Sequence, residues 1–126
     1  MPFVQITLKQ GRSEAALKTI SDAIHASLVD VFRIPIDDRF QTLREVSDAH
    51  LVYPDTYMEI PHSDDIVFIH ITAKEGRTSD MKKRLYKAIA SSISQQTDVP
   101  IDDVFIVLVE NKAENWSFGR GEAQLA

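Results

Sequence analysis

Apolar and polar positions alternate at the start of the chain, with Val4, Ile6 and Leu8 set against Gln5 and Thr7. A period of two predicts a strand over Phe3 to Leu8, buried on one side. The period then lengthens. Leu17, Ile20, Ile24, Leu28 and Val31 recur at helical spacing, the stripe of an amphipathic helix, preceded by Gly11-Arg12 and the capping hydroxyl of Ser13. Proline ends the helical region, and a second strand starts near Phe40. The same succession returns later: a strand over Ile66 to Thr72, Gly76-Arg77, Thr78 as cap, a stripe of Met81, Leu85, Ile89 and Ile93, and a strand near Phe105.

The return is literal. Gly11-Arg12-Ser13 matches Gly76-Arg77-Thr78, and Pro35-Ile36-Asp37-Asp38 matches Pro100-Ile101-Asp102-Asp103, both at an offset of 65 residues. The same ungapped offset pairs Phe3 with Phe68, Ile6 with Ile71, Lys9 with Lys74, Phe40 with Phe105 and Glu45 with Glu110. Residues 2–46 and 67–111 are two copies of one β-α-β unit, and a helical crossover makes the two strands of each copy parallel. The expected fold class is α+β: a duplicated β-α-β unit forming a four-stranded mixed sheet with two helices on one face, plus short hairpins. A single domain over 1–126 accommodates it. Between the copies, Val46 to Asp64 carries a Pro-Asp turn signal and predicts a hairpin. Beyond Glu110 the tail holds Trp116 and Phe118, too apolar for a free end, so it is expected to pack on the body or on another subunit.

Composition narrows the chemistry. The chain has no cysteine, which excludes disulfides and thiolate catalysis. Its four histidines show no metal-ligand spacing, so neither a metal nor a cofactor is expected. A net charge of −5 argues against non-specific nucleic-acid binding, yet leaves room for a small anion held by a local pair of cations. No leader pattern or membrane-length apolar run stands out, so a cytoplasmic protein without a membrane partner is the expectation.

Pro2 admits two readings. A proline is tolerated at the first position of a strand because it lacks the ladder N–H. With Met1 removed, it becomes a secondary amine at the tip of an ordered strand, able to take or give a proton. In the second copy its position falls on Val67, inside the chain, so amine chemistry is confined to one end of a pseudo-symmetric body.

A β-α-β duplication opening with Pro2 resembles the tautomerase superfamily, whose members use an amino-terminal proline as the catalytic group. The stretch IPIDDRFQ is similar to the segment of malonate semialdehyde decarboxylase that carries a catalytic aspartate, which falls on Asp38. ENWSFGRGEAQ is similar to that enzyme's C-terminal segment and puts its aromatic pocket residues on Trp116 and Phe118. AKEGRT resembles the cation pair of cis-3-chloroacrylic acid dehalogenase, falling on Lys74 and Arg77, with lysine where the family has arginine.

The resemblance implies a cofactor-independent homotrimer, its sheets facing inward, acting on a small oxo acid. Pro2, Asp38 and Arg77 are the implied catalytic residues, and Lys74, Trp116 and Phe118 the substrate-binding ones. Keto–enol tautomerisation with Pro2 as general base is the first reading. Decarboxylation or hydration with a protonated proline and Asp38 is the alternative, and a non-catalytic trimeric binding protein is a further one. Two residues carry a structural alternative as well: Asp38 has a twin in Asp103, and Arg77 has one in Arg12.

Overall fold

The computed structural model describes residues 1–126 and contains two α-helices and a four-stranded sheet. Strand β1 (Pro2–Lys9) leads through helix α1 (Glu14–Phe32) to β2 (Phe40–Val46). A two-stranded hairpin, β3 (Thr56–Tyr57) and β4 (Ile60–Pro61), fills the predicted turn region. Strand β5 (Val67–Lys74), helix α2 (Ser79–Gln96) and β6 (Val104–Asn111) then repeat the first succession. Both helices start as the sequence indicates, with the hydroxyls of Ser13 and Thr78 accepting from the N–H groups of Ala16 and Met81. Helix α1 ends at Arg33, whose left-handed backbone turns the chain toward Pro35.

The sheet order is β2-β1-β5-β6. Each β-α-β copy supplies a parallel pair, and the copies join antiparallel through β1 and β5. One face of the sheet is apolar and covered. Val4, Ile6 and Leu8 of β1 and Val67, Ile69, Ile71 and Ala73 of β5 meet the stripes of both helices in one core. Ile20, Ile24, Leu85, Ile89 and Ile93 are fully enclosed there, each contributing about 1.5–3 kcal/mol through burial. Met81, expected on the same stripe, is only half-buried at its edge.

The other face carries no helix. Phe3, Gln5 and Thr7 alternate outward on β1, and Phe68, His70 and Thr72 do so on β5. Phe40 on β2 and Phe105, Val107 and Val109 on β6 are left 41–50% exposed. Neither helix is long and apolar enough to cross a membrane.

This topology brings distant residues to one end of the sheet. The β1–β5 register pairs Pro2 with Ala73, so the start of β1 lies beside the end of β5, where Lys74 and Arg77 follow. The parallel β1–β2 register pairs Phe3 with Phe40, which sets Asp38 level with the first residue of the chain. Lys74 is itself the last residue of β5, because the strand extends two residues past the predicted Thr72.

Candidate active site

Pro2 is buried at the first position of β1. The Met1 amine before it lies 3.1 Å from Asp38 Oδ2. Burial pushes that amine below the ordinary value for an α-amino group, because desolvation disfavours the charged form. Asp38 opposes the shift by hydrogen bonding and attraction, whereas the positive charges of Arg77 and Lys74 add to it. One amine therefore feels a carboxylate from its own repeat and two cations from the other.

A cleft of about 260 Å³ opens beside this amine, lined by Met1, Pro35, Asp37, Asp38, Phe40 and Phe118. Phe118 packs on Phe40 with ring centroids 6.1 Å apart, and stacks on Trp116 at 5.7 Å and 16° between planes. Trp116 stands behind Phe118 instead of lining the cleft, and its indole N–H donates to Asn111 Oδ1 at 2.6 Å. The tail thus packs on its own chain. A second, more polar cleft of about 290 Å³ is lined by Lys74, Glu75, Gly76, Arg77 and Met81. The Arg77 guanidinium lies 4.9 Å over the Phe32 ring, and its Nη1 donates to the Lys74 carbonyl at 2.8 Å. Those two contacts fix the plane of the guanidinium and leave other N–H donors for an anion.

The twin positions of the other copy separate structural roles from chemical ones. Asp103 is 1% exposed and accepts hydrogen bonds from the Ser63 N–H at 2.9 Å and from the Ser63 hydroxyl, with His62 Nδ1 at 3.5 Å. Asp38 lacks such partners. Its Oδ2 is buried and accepts no aligned hydrogen bond, so the amine is its counter-charge.

The cations differ in the same sense. Lys9 Nζ lies 3.2 Å from Asp64 and 3.5 Å from Asp65, and these contacts raise its pKa. Arg12 Nη2 reaches the Asp65 carbonyl at 3.0 Å and its carboxylate at 3.5 Å. No carboxylate lies within ion-pair distance of Lys74 or Arg77. The first copy's partners are supplied by topology: Asp64 and Asp65 run into β5, whose start lies beside the end of β1, where Lys9 and Arg12 follow. In one copy the chain neutralises its own cation pair, and in the other it leaves the pair open.

Pro2, Asp38, Lys74 and Arg77 thus gather at one end of the sheet, with Phe118 over the cleft and Trp116 behind it. Three further residues touch this arrangement without having been singled out as site residues in the sequence: Phe40, Phe32 and Asn111. Phe40 had a visible signal in its match to Phe105, which the repeat alone already explained. The others act through contacts with no sequence periodicity. His25, near the same helix end, is a packing residue, buried with Nε2 2.7 Å from the Ile36 carbonyl oxygen.

A family model described as tautomerase enzyme matches residues 38–119, and a second of the same description matches residues 2–59. The chain is 43% identical over 125 residues to the probable tautomerase YusQ of Bacillus subtilis (strain 168), covering 99% of this chain and 98% of that protein. Among solved structures, FG41 malonate semialdehyde decarboxylase inhibited by 3-bromopropiolate superposes with a TM-score of 0.91 at 37% identity, over 97% of this chain and 92% of that one. Native fused 4-OT shares the fold at a TM-score of 0.82 and 17% identity, over 97% of this chain and 96% of that one. The chain is thus a member of the tautomerase family, an enzyme of the isomerase or related lyase class.

Proposed function

We propose that the protein is a cofactor-independent tautomerase of a small 2-oxo acid, with the nitrogen of Pro2, freed by removal of Met1, as general base. One observation carries this reading. The Met1 amine, directly before β1, lies in a partly buried place where desolvation and two cations outweigh Asp38 and favour its neutral form, and the Pro2 nitrogen freed one residue further on is expected to meet the same groups. A neutral secondary amine takes a proton from the carbon next to a carbonyl, and the C–H electron pair moves into the enol while negative charge collects on oxygen. Return of the proton to the other site completes the isomerisation. Arg77, held flat by Phe32 and the Lys74 carbonyl, grips the substrate carboxylate with Lys74. Lysine is a point charge, so the grip is less rigid than that of two guanidinium forks. Phe40 and Phe118 keep water from the cleft.

A second reading is favoured by Asp38. Its buried carboxylate, 3.1 Å from the Met1 amine, is placed to stabilise a protonated amine one residue further on as well, at Pro2. An ammonium there donates to the carbonyl oxygen of a 3-oxo acid while the bond to the carboxylate breaks. Carbon dioxide leaves, its bonding electrons pass into the enol, and a proton then adds to carbon. Malonate semialdehyde is the compound to test, given the solved relative.

The assembly that supports either reading is a homotrimer whose uncovered sheet faces pack inward. Phe105, Val107 and Val109 supply apolar surface of the kind that marks an interface.

The experiment measures ketonisation of phenylenolpyruvate and decarboxylation of malonate semialdehyde by wild type, Pro2→Ala and a form that retains Met1. Both altered forms are expected to lose at least ~100-fold, the low end for a positioned acid–base group. Equal rates in all three would remove Pro2 from the chemistry.

A further inference from the structure

The tail after Trp116 holds its shape with very little regular structure. Gly119, Arg120 and Gly121 have φ values of 139°, 61° and 71°, three successive residues in the left-handed region that reverse the chain. A Cβ at either glycine meets nothing within 4 Å, so glycine is required there by backbone conformation and not by space. Inside this reversal the one backbone hydrogen bond runs from the Glu122 N–H to the Gly119 carbonyl at 3.3 Å. The closure comes instead from a side chain. Gln124 Oε1 accepts from the Phe118 N–H at 2.9 Å, and Gln124 Nε2 donates to the Gly119 carbonyl at 3.0 Å.

We propose that Gln124 is a positioning residue for the substrate cleft: its amide clamps the Phe118–Gly119 peptide and so holds the Phe118 ring over Asp38 and Phe40. A primary amide fits this task because it carries an acceptor and a donor on one rigid plane, matching the N–H and C=O on either side of that peptide. Gln124 lines neither cleft, so it acts on substrate only through Phe118. Phe118 in turn has the Trp116 ring on one side and the Phe40 ring on the other, and a shift of its backbone moves the cleft wall. The inference rests on the proposed reading that this cleft holds the substrate.

The test compares Gln124→Ala and Gln124→Glu with wild type. Gln124 is exposed, and neither change touches the core. Trp116 is the only tryptophan, so its emission reports the stack directly. Gln124→Ala is expected to shift Trp116 emission to the red as its stacked face opens to water, and to raise KM about three- to tenfold with the pH profile of kcat unmoved, the loss of two exposed hydrogen bonds. Gln124→Glu should match it at neutral pH, where a carboxylate accepts from Phe118 and cannot donate to Gly119. Below about pH 4 the carboxylic acid regains a donor, and its emission should return to that of wild type at the same pH. Unchanged emission and KM in Gln124→Ala, or a Gln124→Glu emission that ignores pH, overturns the clamp. Should wild type turn over no oxo acid, the proposed function fails by itself, while Trp116 emission in the two variants still decides whether the clamp exists.

Discussion

The twin aspartates provide a sharp test, because the same residue in the same local sequence should fail in opposite ways. Asp103→Asn replaces a buried carboxylate that accepts from the Ser63 N–H and the Ser63 hydroxyl. The asparagine oxygen keeps the Ser63 N–H bond without its charge, and the amide NH2 faces the Ser63 hydroxyl, which must turn from donor to acceptor. Hydrogen bonds to charged groups are worth roughly 1.5–3 kcal/mol each and neutral ones about 0.5–1.5, so weakening both costs about 2–3 kcal/mol. With an unfolding entropy near 2.1 cal/mol/K per residue, a chain of 126 residues loses roughly 4 °C of Tm per kcal/mol, giving a fall of about 8–12 °C. Asp38→Asn breaks no aligned hydrogen bond and loses one ion pair at the partly exposed end of β1, worth about 0–1 kcal/mol, so its Tm should fall by no more than about 4 °C. Differential scanning calorimetry at matched protein concentration reads both, since assembly makes Tm concentration-dependent. Decarboxylation should show the reverse order. Asp103→Asn should stay near wild type well below its Tm, and Asp38→Asn should lose about 100-fold if the second reading holds. Equal destabilisation by the two changes, or a larger Tm loss from Asp38→Asn, would refute the division of roles between the twins.

Three other outcomes follow from the same geometry. Arg77→Lys keeps the charge and loses both the fork and the stack on Phe32, so KM should rise about tenfold with a smaller change in kcat; an unchanged KM in steady-state kinetics removes Arg77 from substrate binding. Asp64→Asn combined with Asp65→Asn frees Lys9 and Arg12, and calorimetric titration with malonate should count two anion sites per chain where wild type has one; a count that stays at one means the twin pair was never a masked site. Phe105→Arg with Val107→Arg puts charge into the open sheet face and should convert a trimer to monomers by light scattering, whereas a wild type already monomeric at micromolar concentration rejects the assembly.

Much of the fold was legible because each element repeats its signal locally. Alternation marked β1, helical stripes with Ser13 and Thr78 marked both helices, and the offset of 65 residues tied the two copies together. The antiparallel joining of β1 to β5 was less accessible, since β5 is apolar at successive positions and carries no signal of which neighbour it pairs with. That pairing is what carries Lys74 and Arg77 to Pro2. The repeat also concealed the difference between twins. PIDD reads alike in both copies, and only the chain segment running into β5 satisfies Asp103 with Ser63 and Lys9 with Asp64. Contacts such as Arg77 on Phe32, or Gln124 on the Phe118–Gly119 peptide, depend on loop geometry that no periodicity encodes.

The central claim is that the nitrogen of Pro2 is the group whose proton moves. An NMR titration of nitrogen-labelled Pro2, set against the pH dependence of phenylenolpyruvate ketonisation by the same sample, tests it most directly. Burial and the two cations lower the pKa of the Met1 amine, and the Pro2 nitrogen exposed by its removal is expected to feel the same groups and to titrate below the ordinary α-amine value. The rate should rise with pH through that same midpoint, because the neutral form is the base. Coincident midpoints are the expected result. An active enzyme whose Pro2 nitrogen does not titrate, or titrates apart from the rate, contradicts the account.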